Sequence, residues 1–250
     1  MEAFDRMEAF DRNDSAGMRL RQSVVARLVE VGQRIDHASQ KAGRGQARVT
    51  VVAVTKSLSL GAIPFLSGLG LAHFAENRPQ ELARRAPLLP TASWHMIGHI
   101  QRNKAAQTLD FAALIQSVDS KRLLEELENQ SAKRNIQTPI LIQVNGSKEP
   151  QKGGFDPDQP GEIIEAISRL GHITVKGFMT MARDTPDPET SRPTFALVRE
   201  LLESVRTAVD TTKHSMDQLS MGMSGDYEQA ILEGATMVRL GSVLFSQENP

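Results

Sequence analysis

Lys56 closes the run Arg48-Val49-Thr50-Val51-Val52-Ala53-Val54-Thr55. A lysine at the end of a β-branched strand sets a primary amine at the edge of a buried element, beside an opening loop. Lysine is almost always exposed, so its position alone reads as the first solvated residue after a core strand. The chemical reading is a Schiff-base lysine, which becomes nucleophilic when desolvation or a neighbouring cation lowers its pKa. What else the fold brings beside it decides between the two.

The end of the chain supplies candidates. Leu219-Ser-Met-Gly-Met-Ser224-Gly225-Asp226 and Thr236-Met-Val-Arg239-Leu-Gly241-Ser242 each run from a short apolar stretch into a turn of small residues. Backbone N–H groups at such turns, with serine hydroxyls, make an anion site that the helix dipole supports. Two side by side would hold a phosphate. Arg239 lies inside an apolar strand and needs a partner, because an unpaired buried guanidinium is costly. That partner is either a carboxylate or the ring nitrogen of a bound heteroaromatic. A lysine aldimine, a phosphate cradle and a ring-nitrogen partner are together what pyridoxal phosphate requires.

Three other stretches carry polar side chains. Asn77, in His73-Phe-Ala-Glu76-Asn77-Arg78, reads as a turn or cap residue whose amide could also contact a ligand. His95 and His99 lie four apart just after the only tryptophan, Trp94, but Gly98 and the strand pattern argue against a helix. No adjacent carboxylate completes a zinc set, so no metal site is assigned. The segment 145–154 has two lysines and paired glycines without P-loop spacing, and reads as a flexible loop.

The elements that must position these residues alternate. Strands are expected at 49–54, 71–74, 93–97, 113–118, 139–145, 173–180, 216–221 and 236–241. Helices are expected at 60–69, 78–86, 101–109, 120–134, 158–170, 190–210 and 225–234. Before them, Leu20, Val24, Leu28, Val31 and Ile35 recur at helical spacing, predicting an amphipathic helix from about 16 to 42, capped by Asp14 or Ser15 and stopped by Gly43 and Gly45. Eight strands alternating with helices in 250 residues predict a single-domain TIM-like (β/α)8 barrel with an additional N-terminal helix, spanning 16–250. That extra helix is expected to take the seat of a missing eighth one. An open doubly wound sheet is the alternative, disfavoured by the absence of G-x-G-x-x-G after the first strand. Residues 1–15 contain MEAFDR twice in tandem and are expected to be a frayed tail.

Composition narrows the partners. The net charge of -1 gives no field to draw nucleic acid or an anionic membrane. No apolar run is long enough to span a bilayer, and the chain has no cysteine, which points to a cytoplasmic protein without thiolate chemistry.

The chain resembles the pyridoxal phosphate homeostasis proteins, single-domain relatives of the alanine racemase N-terminal barrel, from about Arg19 to Phe245. The likeness rests on Ala53-Val-Thr-Lys56, Phe74-Ala-Glu-Asn77, Trp94-His-Met-Ile-Gly-His-Ile-Gln-Arg-Asn-Lys104, Gly177-Phe-Met-Thr-Met181, Ser220-Met-Gly-Met-Ser-Gly-Asp226 and Met237-Val-Arg-Leu-Gly241. It implies Lys56 as the aldimine lysine, Asn77 on the cofactor face, and Ser224, Gly241 and Ser242 around the phosphate with Met223 beside them. Arg239 would face the pyridine nitrogen without keeping it protonated, leaving the ring a weaker electron sink. Ala75, Arg78 and Ser242 stand where the family usually has glycine, a bulky residue such as tyrosine, and threonine; serine keeps the hydroxyl. The racemases resembled take a second base, a tyrosine, from another domain of a partner subunit, and the one tyrosine here is Tyr227. The expected function is therefore to hold, buffer and deliver pyridoxal phosphate, as a monomer that hands it to recipient apoenzymes. The alternative is a weak amino-acid racemase or another pyridoxal phosphate enzyme on small amino acids.

Overall fold

The structure, a computed structural model, describes residues 15–45 and 48–246. Apart from Ser15, the expected tail lies outside the described residues, as does the possible cap Asp14.

Eight short strands pair in chain order: β1 (Thr50–Val54), β2 (His73–Glu76), β3 (Ser93–Met96), β4 (Leu114–Val118), β5 (Thr138–Gln143), β6 (Ile173–Met179), β7 (Gln218–Ser220) and β8 (Met237–Leu240). Every pairing is parallel, and β8 returns to β1 to close the barrel. The closing register sets Val52 opposite Arg239 and Ala53 opposite Leu240. The expected barrel is the fold.

Alternation along the strands divides the core in two. Val52 and Val54 pack inside the barrel with Ala75, Leu114, Leu141, Met179 and Met237. Ala53, Phe74, Ile115, Ile140 and Phe178 face outward, into the larger core under the helices. The interior also holds buried polar groups, including His95, Gln116, Ser220 and Arg239.

Around the barrel run α1 (Ser15–Lys41), α2 (Pro79–Arg85), α3 (Ala105–Leu109), α4 (Lys121–Arg134), α5 (Pro160–Ser168), α6 (Arg192–Arg206), α7 (Tyr227–Leu232) and α8 (Ser242–Phe245). None of them is long and apolar enough to cross a membrane. Helix α1 buries Val24, Val31, Ile35 and Ala38 and ends at Lys41, with Gly43 at φ 66. It packs against α7, α8 and the first connection, the seat expected for it, because α8 is a single turn. Arg21 donates to the carbonyls of Phe65 and Ser67, and Arg27 to that of Leu244. These bonds tie α1 to the first connection and to α8.

Some boundaries differ for physical reasons. The helix expected over 60–69 is a 3-10 helix, Leu60–Leu66, with Pro64 inside it; proline supplies no N–H and blocks a longer α-helix. The second strand runs over His73–Glu76 rather than 71–74, since Ala75 and Glu76 continue the ladder beside His95 and Met96. The stretch 190–210 enters α6 through a 3-10 turn, Pro188–Ser191, and ends at Arg206.

Candidate functional site

At the end of β1 the chain turns out of the core. Thr55 is fully buried, its N–H donating to the carbonyl of Ala75 at 3.1 Å, whereas Lys56 and Ser57 are exposed. Arg85, on α2, grips both sides of this turn: Nη1 donates to the carbonyl of Thr55 at 2.8 Å and Nη2 to that of Leu58 at 2.9 Å. Its Nε lies 3.3 Å from the carboxylate of Glu76, which has no exposed surface. The hydroxyl of Thr55 donates to the same Glu76 oxygen, while the other oxygen has no partner among the described residues. Burial holds the Glu76 carboxyl above its ordinary range, against the opposing pull of Thr55 and Arg85. Thr55, Glu76 and Arg85 thus fix the backbone on which the Lys56 amine is mounted.

A cavity of about 690 Å³ opens between this turn, α1 and α8, within the size range of small-molecule sites. Lys56, Ser57, Gly241 and Ser242 give its polar wall, and Leu20 and Phe65 its apolar one. A Cβ built on Gly241 would stand 3.5 Å from Val54, so the turn after β8 lies directly against the end of β1. The loop after β7 joins here too. Ser224 Oγ accepts from the N–H of Gly241 at 3.2 Å and of Val243 at 3.3 Å. The two turns expected to converge on an anion are therefore already joined through one hydroxyl, with backbone donors converging on it. Met223, 37 % exposed, donates its N–H to Asp226 Oδ1 at 2.6 Å. Gly222 holds this loop at φ 90, where a Cβ would come within 2.8 Å of Tyr227 Cα.

Arg239 is buried in β8, two residues before Gly241. Among the described residues no acid forms an ion pair with it. Nη1 donates to the carbonyl and hydroxyl of Ser220 at 2.8 and 2.7 Å, and Nη2 to the carbonyl of Thr180 at 2.8 Å. Burial lowers its pKa to about 10, partly offset by Asp226, so it stays charged at neutral pH.

The remaining candidates separate. Asn77 is exposed after β2, and its backbone fills the space a side chain at Gly98 would need: a Cβ there would sit 2.0 Å from the Asn77 carbonyl oxygen. His95 and His99 are not a pair. His95 points into the barrel, to His73 and Gln116, while His99 is exposed and meets Asp119 at 2.7 Å. The loop 145–154, expected to be flexible, is cross-braced: Asn145 Nδ2 donates to the carbonyls of Glu149 and Lys152, and Lys152 Nζ to that of Ala182. Tyr227 is 1 % exposed, under the Arg34 guanidinium at 5.3 Å between α1 and α7, and burial raises its pKa.

Of the sequence candidates, Lys56, Gly241 and Ser242 share one cavity wall; Ser224 is bonded to that wall, and Arg239, two residues before Gly241 on β8, turns its guanidinium to Ser220 and Thr180 and does not line the cavity. Asn77 and Met223 are not part of the wall. Sequence reasoning missed Glu76, Arg85, Gln116 and Ser220 as supports. For Glu76, Gln116 and Ser220 the available signal was a polar residue at a strand position otherwise filled by apolar ones; Arg85, on α2, carried none.

The family model for the alanine racemase N-terminal domain matches residues 28–249. The chain is 36 % identical over 223 residues to a pyridoxal phosphate homeostasis protein of Aquifex aeolicus, covering 88 % of this chain and 96 % of that one. A protein of the same name from Pseudomonas aeruginosa is 35 % identical, with 89 % and 95 % covered. Among solved structures, PipY of Synechococcus elongatus with pyridoxal phosphate bound superposes with a TM-score of 0.75 at 30 % identity, covering 89 % of this chain and all of that one.

Proposed function

We infer the function from family membership: the chain belongs to the pyridoxal phosphate homeostasis proteins, built on the barrel of the alanine racemase N-terminal domain. We propose that it binds pyridoxal 5'-phosphate reversibly, buffers it, and releases it to apoenzymes that need it, without marked catalysis. The observation that carries this reading is the single cavity wall shared by Lys56, Gly241 and Ser242, with Arg239 two residues before Gly241 on the strand that closes the barrel.

The donor set fits this cofactor. The amine is exposed at the end of a strand whose backbone Arg85 clamps. The N–H groups of Gly241 and Val243 converge on one hydroxyl, a geometry suited to a phosphate oxygen. The absence of a side chain at Gly241 leaves that approach open. Pyridoxal phosphate supplies an aldehyde that a lysine amine captures reversibly. Lys56 is the covalent anchor, Ser224, Gly241 and Ser242 hold the phosphate, and Met223 and Asn77 border the bound ring. Arg239, a donor at every nitrogen, would meet the ring nitrogen of the bound cofactor and require it to accept. A ring nitrogen kept unprotonated draws electrons weakly, which suits storage over carbanion chemistry. All these groups come from one chain, sufficient for a monomer to bind.

The racemase alternative needs a second proton carrier opposite Lys56. Tyr227 is enclosed between α1 and α7 and is not in the cavity wall. Deuterium exchange at Cα of alanine, followed by proton NMR in the presence of pyridoxal phosphate, separates the two readings. The expected rate is that of the Lys56→Ala variant. Exchange near the ~1–1000 per second of ordinary enzymes overturns the carrier.

A further inference from the structure

A run of hydrogen bonds crosses the barrel interior from Arg239 to His73. Arg239 Nη1 donates to Ser220 Oγ at 2.7 Å, and Ser220 Oγ lies 2.6 Å from Gln116 Oε1. Gln116 Nε2 lies 2.7 Å from His95 Nδ1, and His95 Nε2 lies 3.1 Å from His73 Nδ1. The run therefore links β8, β7, β4, β3 and β2, and His95, Gln116 and Ser220 are each at most 1 % exposed.

Its direction is forced from one end. A guanidinium only donates, so Ser220 Oγ accepts and its single proton goes to Gln116 Oε1. The Gln116 amide then presents its two N–H groups to His95 Nδ1 and, at 3.1 Å, to the sulfur of Met237. The flipped amide would set an oxygen against that sulfur and leave the serine proton without an acceptor. His95 Nδ1 must accept, so its proton sits on Nε2 and is donated to His73. Burial agrees, holding His95 neutral with a pKa near 3. Every donor in the run points away from Arg239, and such one-way chains strengthen each member.

We propose that Gln116 and His95 are positioning residues for Arg239: through Ser220 they fix the guanidinium in the orientation that meets the ring of the bound cofactor. This rests on the reading that pyridoxal phosphate sits above Arg239. Neither residue touches the ligand. Their part is to keep the serine lone pair aimed at Nη1, so that the arginine's remaining N–H groups are held toward the cavity.

The test combines two readouts on the full chain. Nitrogen-15 NMR of the ligand-free protein should show His95 as the neutral Nε2–H tautomer, and Gln116→Met should abolish that preference. With pyridoxal phosphate added, Gln116→Met should shift the visible absorption maximum and speed cofactor release by about tenfold, the scale of losing one hydrogen bond to a charged group. Ser220→Ala, which cuts the run at a smaller side chain, should reproduce both changes, and the double variant should add nothing, since both cut the same run. A wild-type band unchanged in position and release rate in either folded variant overturns the positioning role alone, as does a His95 proton on Nδ1. No band in the wild-type protein overturns the cofactor reading instead.

Discussion

His95 combines full burial with neutrality. Its imidazole, ordinarily titrating near 6.5, is depressed to about 3, first by burial and then by His73. The folded protein therefore binds this proton far less readily than the unfolded chain. The stability this contributes is complete above about pH 6.5 and is lost as pH falls toward 3, at ~1.4 kcal/mol per unit of depression. Urea midpoints measured at about pH 7 and about pH 4.5 should fall further for the wild-type protein than for His95→Gln. Equal falls would contradict the assignment. Lys56, Arg239 and the small-residue turns were legible in the sequence because each is chemically out of place in its own strand or turn. The partners of His95 were not. Gln116 and Ser220 reach each other across the interior from β4 and β7, and no local spacing encodes that meeting.

At the scale of elements, the β1 connection is shaped by α2. Pro64 marks the first crossover as a place where an α-helix cannot run freely, and that signal was present in the sequence; the grip of Arg85 was hidden, because it depends on how α2 lies over β1. Arg85→Met would remove a donor from the carbonyls of Thr55 and Leu58, the former keeping only the N–H of Leu58, and would leave Glu76 buried without its cation. A loss of ~3–5 kcal/mol in urea unfolding is expected, the scale for breaking a buried pair from one side. The double variant Glu76→Gln with Arg85→Met should recover part of it. A loss below ~1 kcal/mol, as for an exposed pair, would contradict the clamp.

For the whole molecule, counting strands to eight and closing the ring was enough to bring Lys56 beside Gly241 and Arg239, although they lie at opposite ends of the chain. Closure by β1 on β8 makes this so, and the seat of α1 between α7 and the first connection completes the cavity from outside. The polar interior that steadies Arg239 became visible only with the closed barrel, since its members come from five strands. The function depends most on one amine. The most direct test is the absorption spectrum of the purified protein with pyridoxal phosphate, followed by borohydride reduction and peptide mass mapping. The account predicts an imine band and a pyridoxyl adduct on Lys56, both absent from Lys56→Ala. No band, or an adduct that persists in that variant, would contradict it.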